Sequence, residues 1–265
     1  GMAAVFGAPV SSLVMAVELL LFELRPRSLI PVSLAAVTAT GVRYATYGSG
    51  AVFVMPLVAE PGGWALASYI LLGAVVGYLS VWVSKAVYGV EDLFAKLPIH
   101  WMWWPAMGGI AAGLIGWIAP HTMGVGYDNI DGLVQGSFGV QVLFGLCVLK
   151  FLSWVIALGS GTSGGTLAPL FMIGGAFCAL IATGIGMLMP SLGIDPRIAA
   201  LVGMAAIFAG SSRALLTASG GAVVTTRQAN ALLPLLGGCT AAYLISALTM
   251  RNTIMTEKIE RRGVR

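Results

Sequence analysis

Gly159-Ser160-Gly161-Thr162-Ser163-Gly164-Gly165-Thr166-Leu167-Ala168-Pro169 interrupts the charge-free run 151–194, and the apolar stretch Leu170 to Met189 follows it. A hydrocarbon core of roughly 30 Å, at about 1.5 Å rise per residue, takes about 20 apolar residues per spanning helix. The run 151–194 is too long for one span and reads as two helices separated by a glycine-rich break. Proline is tolerated in the first turn of a helix, where an N–H would have no intrahelical acceptor, so Pro169 marks a helix beginning near Thr166 to Pro169. The N–H groups of Thr166, Leu167 and Ala168 are then unpaired and point beyond the helix start, where with the macrodipole they favour an anion. The competing reading is a glycine hinge between packed helices whose amides are met by water. Nucleotide binding is not supported, because a phosphate-cradling loop would end Gly-Lys-Ser/Thr and no lysine stands here.

Working outward, composition places the break in a membrane. Of 265 residues, 58% are hydrophobic and only 9% charged, the mean hydropathy is +0.94, and soluble domains carry about 25% charged residues. The net charge of +4 arises from 14 Lys and Arg against 10 Asp and Glu, too thin a basic surface for nucleic acid. Residues 61–84, 97–127, 132–149 and 228–250 hold no charge, and several of these match one span. The pieces 28–42, 44–59, 198–212 and 214–226 are shorter and separated by single arginines, as in helices that end inside the protein. Such ends survive in lipid only where protein or a water-filled cavity surrounds them, an arrangement typical of transporters and channels. The start, Gly1 to Ala8, lacks a positive region and reads as a cut through a larger protein rather than a signal peptide. Arg251, Lys258, Arg261, Arg262 and Arg265 form a basic tail that places the C-terminus in the cytoplasm. Glu257 with Arg261 suits a short surface helix there.

Further motifs stand in order along the chain: Ala8-Pro9 leading to Glu18, Pro120-x-x-x-Gly124-x-Gly126-Tyr127, Gly203-Met204-Ala205-Ala206, Arg213 with Thr217, Pro234, and the closing Ile254 to Gly263. Together with the glycine-rich break, this set resembles the CLC family of chloride channels and chloride/proton antiporters, whose G-S-G-x-P-G-G-x-F-A-P stretch begins an anion-coordinating helix. The resemblance implies an all-α, polytopic membrane fold of broken and tilted helices in two inverted-topology halves, dimeric, with a separate pore in each subunit. Residues 1–60 match the end of the first half, 61–250 the second half, and 251–265 a basic cytoplasmic segment. The anion would be bound by Gly165, Thr166, Leu167 and Ala168, with Ser160, Gly161 and Met255 as candidate pore-lining positions and Glu18 as a structural carboxylate. The family's upstream G-S-G-x-P, with its chloride-binding serine, and G-[KR]-E-G-P, with its gating glutamate, have no counterpart. The chloride site is therefore expected to be half built, and the missing N-terminal half of the same protein is an expected partner.

The departures carry expectations too. The family's F-A-P reads Leu167-Ala168-Pro169, which backbone coordination tolerates. The tyrosine whose hydroxyl helps bind the central chloride falls at Met255, whose thioether offers an anion no hydrogen bond. The antiporters' inner proton-transfer glutamate falls at Leu19, which carries no proton. Passive, channel-type chloride conduction is accordingly the first expectation, with proton-coupled antiport and a non-conducting membrane subunit as alternatives. The stretch Thr217-Ala218-Ser219-Gly220-Gly221-Ala222-Val223-Val224 replaces a bulky apolar helix ending in glutamate and puts packing at the dimer interface in doubt.

Single residues complete the reading. Glu18, an ionisable residue in an apolar run, is a functional candidate but is expected first to cap nearby backbone, and Arg213 could line the anion path but is expected first to pair with backbone carbonyls. Lys150 either draws anions into a vestibule or marks the end of a span. Gly73 with Gly77 and Gly109 with Gly113 are taken as helix-packing pairs. Trp101, Trp103 and Trp104 read as an interfacial belt with His100 at headgroup level, and Asp195-Pro196 as a capped helix start. Cys147, Cys178 and Cys239 are unpaired packing residues, and His100 and His121 are too far apart for a metal pair. No enzyme, cofactor or metal site is expected. The expected partners are chloride or a similar anion, the lipid bilayer and a second copy, with no nucleic acid, in the plasma (inner) membrane.

Overall fold

The computed structural model describes residues 1–21, 25–250, 252–254 and 256–257, and among these every regular element is a helix. Two short helices, α1 (Met2–Phe6) and α2 (Pro9–Met15), lead into a wide π turn at Ala16–Leu21, and α3 (Pro26–Tyr47) follows. The rest of the chain forms α4 (Gly63–Ala95), α5 (Trp104–Ile118), α6 (Tyr127–Gln135), α7 (Val140–Gly159), α8 (Leu167–Leu188), α9 (Pro196–Ser212), α10 (Leu215–Thr226) and α11 (Leu232–Thr249). Helices α4, α7 and α8 and the stretch Ala229–Thr249 are long and apolar enough to cross a membrane. This is an integral membrane protein of all-α architecture.

Helix α9 is the centre of the molecule. Every residue from Ile198 to Ser212 is buried, enclosed by α4, α8, α10 and α11. Its alanines and glycines make that enclosure possible, because backbones approach closely only where side chains are small. A Cβ at Gly203 would lie 2.2 Å from the carbonyl oxygen of Gly174 in α8. Between α4 and α11, a Cβ at Gly73 would meet Gly238 Cα at 2.3 Å, and one at Gly77 would meet Ala242 Cα at 2.6 Å. Gly73 and Gly77 thus pack as expected. Gly109 and Gly113 do not: nothing lies within 4 Å of a Cβ at either, and both face an open cavity.

Several boundaries differ from the charge map, which a charge alone does not fix. Helix α4 runs on through Lys85 to Ala95, and α7 runs through Lys150. The stretch 132–149 is not one span, because α6 ends at Gln135 and α7 begins only at Val140. In 97–127 the continuous helix is only Trp104–Ile118, flanked by single turns at Trp101–Trp103 and Pro120–Thr122. Arg43 does not separate neighbouring helices either: α3 continues past it to Tyr47, and its guanidinium donates to Ala4 O at 3.2 Å, at the end of α1. The breaks at Arg213 and Arg227 are real, each arginine taking a left-handed conformation that ends its helix.

Residues 1–60 are tied into the later elements. Helix α2 packs on α10, and the segment after Tyr47 is pinned where Asp131 Oδ1 accepts from Val54 N at 3.0 Å, Gln228 Nε2 donates to Met55 O at 3.0 Å and Asn230 Nδ2 donates to Val58 O at 3.0 Å. Asp195 caps α9 as expected, accepting from Arg197 N at 2.9 Å ahead of Pro196. Cys178 and Cys239 are buried and Cys147 is half-buried, all three as free thiols. Gly220 and Gly221 sit inside an unbroken α10 facing Ser11 of α2. Trp101 and Trp103 are exposed, and His100 Nδ1 accepts from Met102 N at 3.4 Å.

Candidate functional site

The glycine-rich break turns the chain between α7 and α8 as its sequence requires. Ser160 N donates to Ile156 O at 3.0 Å and Gly161 N to Leu158 O at 3.2 Å, and Gly161 then takes φ 85, open to glycine without strain. Thr162 Oγ1 donates back to Ala157 O. Helix α8 starts at Leu167 with Pro169 in its first turn, and its first bond runs from Leu170 N to Thr166 O at 3.2 Å. No acceptor among the described residues meets the N–H groups of Thr166, Leu167 or Ala168. Gly165 is exposed, Thr166 and Leu167 are half-buried and Ala168 is buried. Three of the four expected anion-binding residues, Thr166, Leu167 and Ala168, therefore form one donor cluster at the start of a 22-residue helix, with Gly165 just ahead of them.

Beside that start lies a cavity of about 590 Å³, walled by Gly109 and Gly113 of α5, Lys150 and Trp154 of α7, and Gly165 and Pro169. Lys150 is buried, and its Nζ donates to Thr122 O at 2.8 Å and Gly124 O at 2.9 Å. It neither ends a span nor sits free in a vestibule: it holds the Thr122–Gly124 backbone against α7 and lends positive charge to the cavity wall. Trp154, one turn further on, is buried with its Nε1 unpaired among the described residues.

The other expected site residues fall elsewhere. Ser160 is buried, packs against Gly108 of α5 and donates its Oγ to Ala157 O at 2.6 Å, so it sits in the contact between α5 and α7. Gly161 is exposed in the turn. Met255 lies outside the described residues, as do Arg251, Lys258, Arg261, Arg262 and Arg265. Ile254 N donates to Ser211 O at 3.1 Å, so the chain just before Met255 touches the end of α9. Glu18 is a cap on α10: Oε1 accepts from Leu216 N at 3.1 Å, while Oε2 accepts from Thr217 N at 3.0 Å and Thr217 Oγ1 at 2.6 Å. Arg213 Nη2 donates to Met250 O, the carbonyl pairing expected of it. Leu19 packs against the core.

Sequence reasoning passed over Ser212 and Trp154. A serine pair closing an apolar helix, and a tryptophan one turn from an intramembrane lysine, were the available signals.

The family model described as voltage gated chloride channel matches residues 1–247. The H(+)/Cl(-) exchange transporter ClcA of Vibrio parahaemolyticus is 28% identical over 272 residues, covering 98% of this chain and 57% of that protein. The chain thus spans little more than half the length of such curated relatives. Among solved structures, a slow cyanobacterial Cl-/H+ antiporter superposes with a TM-score of 0.84 at 24% identity, covering 97% of this chain and 61% of the other. A CLC-type fluoride/proton antiporter gives a TM-score of 0.75 at 20% identity, covering 91% and 59%.

Proposed function

The chain belongs to the voltage gated chloride channel family, and from that membership we propose that it supplies half of a transmembrane chloride pathway, coordinating the anion with the backbone amides of Thr166 and Leu167 and the flanking Gly165 and Ala168. The observation that carries this reading is the unpaired donor cluster at the start of α8, next to a cavity whose wall holds Lys150. Amides and a helix dipole offer an anion charge stabilisation without a formal countercharge, which lets it bind and leave. The work done is transport rather than catalysis, in a multi-pass protein of the inner membrane that acts as a homodimer and has its C-terminus in the cytoplasm. The remaining donors come from a preceding segment of the same protein.

Proton-coupled chloride exchange has more support than passive conduction, because the ClcA relative carries an exchanger's name. Passive conduction is the second reading, carried by Leu19, an apolar residue packed on the core where the resemblance places a proton-transfer glutamate. Simultaneous chloride and pH recording from vesicles holding the complete protein decides between them: exchange moves protons against a chloride gradient, and conduction moves chloride alone. Thr166→Pro deletes one amide donor at the N-cap of α8, three residues ahead of Pro169. It is expected to lower chloride flux about tenfold or more, as the loss of one charge-assisted hydrogen bond predicts. Flux equal to the parent's refutes coordination by α8.

A further inference from the structure

Ser212 ends α9 with a hydroxyl that nothing among the described residues uses. The residue is 3% exposed and its Oγ has no hydrogen-bond partner there. Other buried helical serines are satisfied by nearby carbonyls: Ser80 donates to Gly77 O at 2.7 Å, Ser84 to Ser80 O at 2.9 Å and Ser219 to Leu215 O at 2.9 Å. An unpaired buried hydroxyl is costly, so one that persists calls for a partner of its own.

The packing of α8 on α9 says where that hydroxyl stands. The two helices run antiparallel, with Phe171 edge-on to Phe208 at a centroid distance of 5.9 Å and Gly174 beside Gly203 and Ile207. Residues four apart share a helix face. One turn from the phenylalanine pair toward the shared end takes Phe208 to Ser212 and Phe171 to Leu167. Ser212 is therefore level with the residue whose unpaired amide opens α8. Arg213 follows, with Nη2 on Met250 O and its buried Nε also unpaired. Three donors from two helices, Leu167 N, Ser212 Oγ and Arg213 Nε, thus gather at one end of the α8–α9 pair without an acceptor among the described residues. Donors and positive charge in one place suit a small anion and repel a cation.

We infer that Ser212 Oγ is a further anion ligand, donating to the chloride held at the start of α8. The assignment rests on the proposed role of the α8 amides and adds to it a side-chain ligand from a second helix, at a position the sequence motifs do not mark.

The test is calorimetric titration of chloride into the complete purified protein, comparing the parent with Ser212→Ala and Thr166→Pro, alongside melting temperatures in chloride-free buffer. Loss of one hydrogen bond to an ion predicts about ten- to hundredfold weaker chloride binding for Ser212→Ala. Its chloride-free melting temperature should be no lower than the parent's, since without the anion the hydroxyl has no bond to lose and its removal relieves an unpaired buried group. Parent-like affinity in Ser212→Ala with weakened binding in Thr166→Pro overturns this assignment and leaves the α8 reading standing. Parent-like affinity in both variants overturns both. A lowered chloride-free melting temperature in Ser212→Ala, matching its loss of affinity, makes the hydroxyl structural and also overturns the assignment.

Discussion

Adding one methyl group at Gly73 and at Gly221 is the same chemical change with opposite expected results. Both glycines lie inside helices, where alanine is favoured by about 1 kcal/mol. At Gly73 the new Cβ would lie 2.3 Å from Gly238 Cα and 2.4 Å from Gly238 O, all backbone, so no side chain can rotate away. Restoring ordinary contact means moving α4 and α11 apart by about 1 Å and loosening the Gly77–Ala242 approach as well, an overpacking that costs about 3 kcal/mol at the upper end of its usual range. The net loss is about 2 kcal/mol after the helix gain is subtracted. At Gly221 the nearest atoms are Ser11 Cβ at 3.8 Å and Oγ at 3.9 Å, an ordinary contact, and the residue borders an enclosed apolar cavity of about 30 Å³. The helix gain of about 1 kcal/mol should survive there. Thermal unfolding in detergent, followed by tryptophan fluorescence, reads the difference. At about 2–4 °C per kcal/mol for a chain of this size, Gly73→Ala should melt about 4–8 °C lower and Gly221→Ala about 2–4 °C higher. A Gly73→Ala protein as stable as its parent refutes the close α4–α11 approach, and a destabilised Gly221→Ala refutes the ordinary spacing between Gly221 of α10 and Ser11 of α2.

Two further substitutions test how the site is held. Glu18→Gln keeps one acceptor oxygen but turns an amide against the Leu216 and Thr217 donors, and unfolding should report a loss of about 2–4 kcal/mol. Lys150→Met keeps the length of the side chain but strands the carbonyls of Thr122 and Gly124 and removes the cation from the cavity wall. It should lower stability by about 2–4 kcal/mol and slow chloride flux in vesicles, whereas Lys150→Arg should retain most of both.

Relations of short sequence range were legible, and those of long range were not. Pro169 and the glycines before it announced the start of α8, and Asp195-Pro196 announced that of α9, because a helix terminus is set by the few residues around it. The apolar lengths announced a membrane protein for the same reason. Lys150 shows where this stops. Its place between two charge-free stretches suggested a span boundary, yet it lies inside α7, because its charge is met by carbonyls 26 and 28 residues earlier. Ser160 stood in the most informative stretch of the chain and is nonetheless turned into a contact with Gly108. Gly109 and Gly113 have the same spacing as Gly73 and Gly77, but only the latter pair has a helix against it.

By itself the sequence determined that the chain is apolar enough to live in lipid, that its helices break at named residues, and that one break leaves the first amides of a helix without intrahelical acceptors. These follow from hydrophobic length and from backbone rules that act within a turn or so. Only the tertiary structure decided what surrounds that break: the cavity bordered by Lys150, the carboxylate of Glu18 set on a helix 198 residues later in the chain, and the unpaired hydroxyl of Ser212 brought level with Leu167. The reason is that an unpaired donor and a satisfied one have the same local sequence. Which of the two a residue becomes depends on the acceptor that packing brings to it, and packing is settled by helices far apart in the chain.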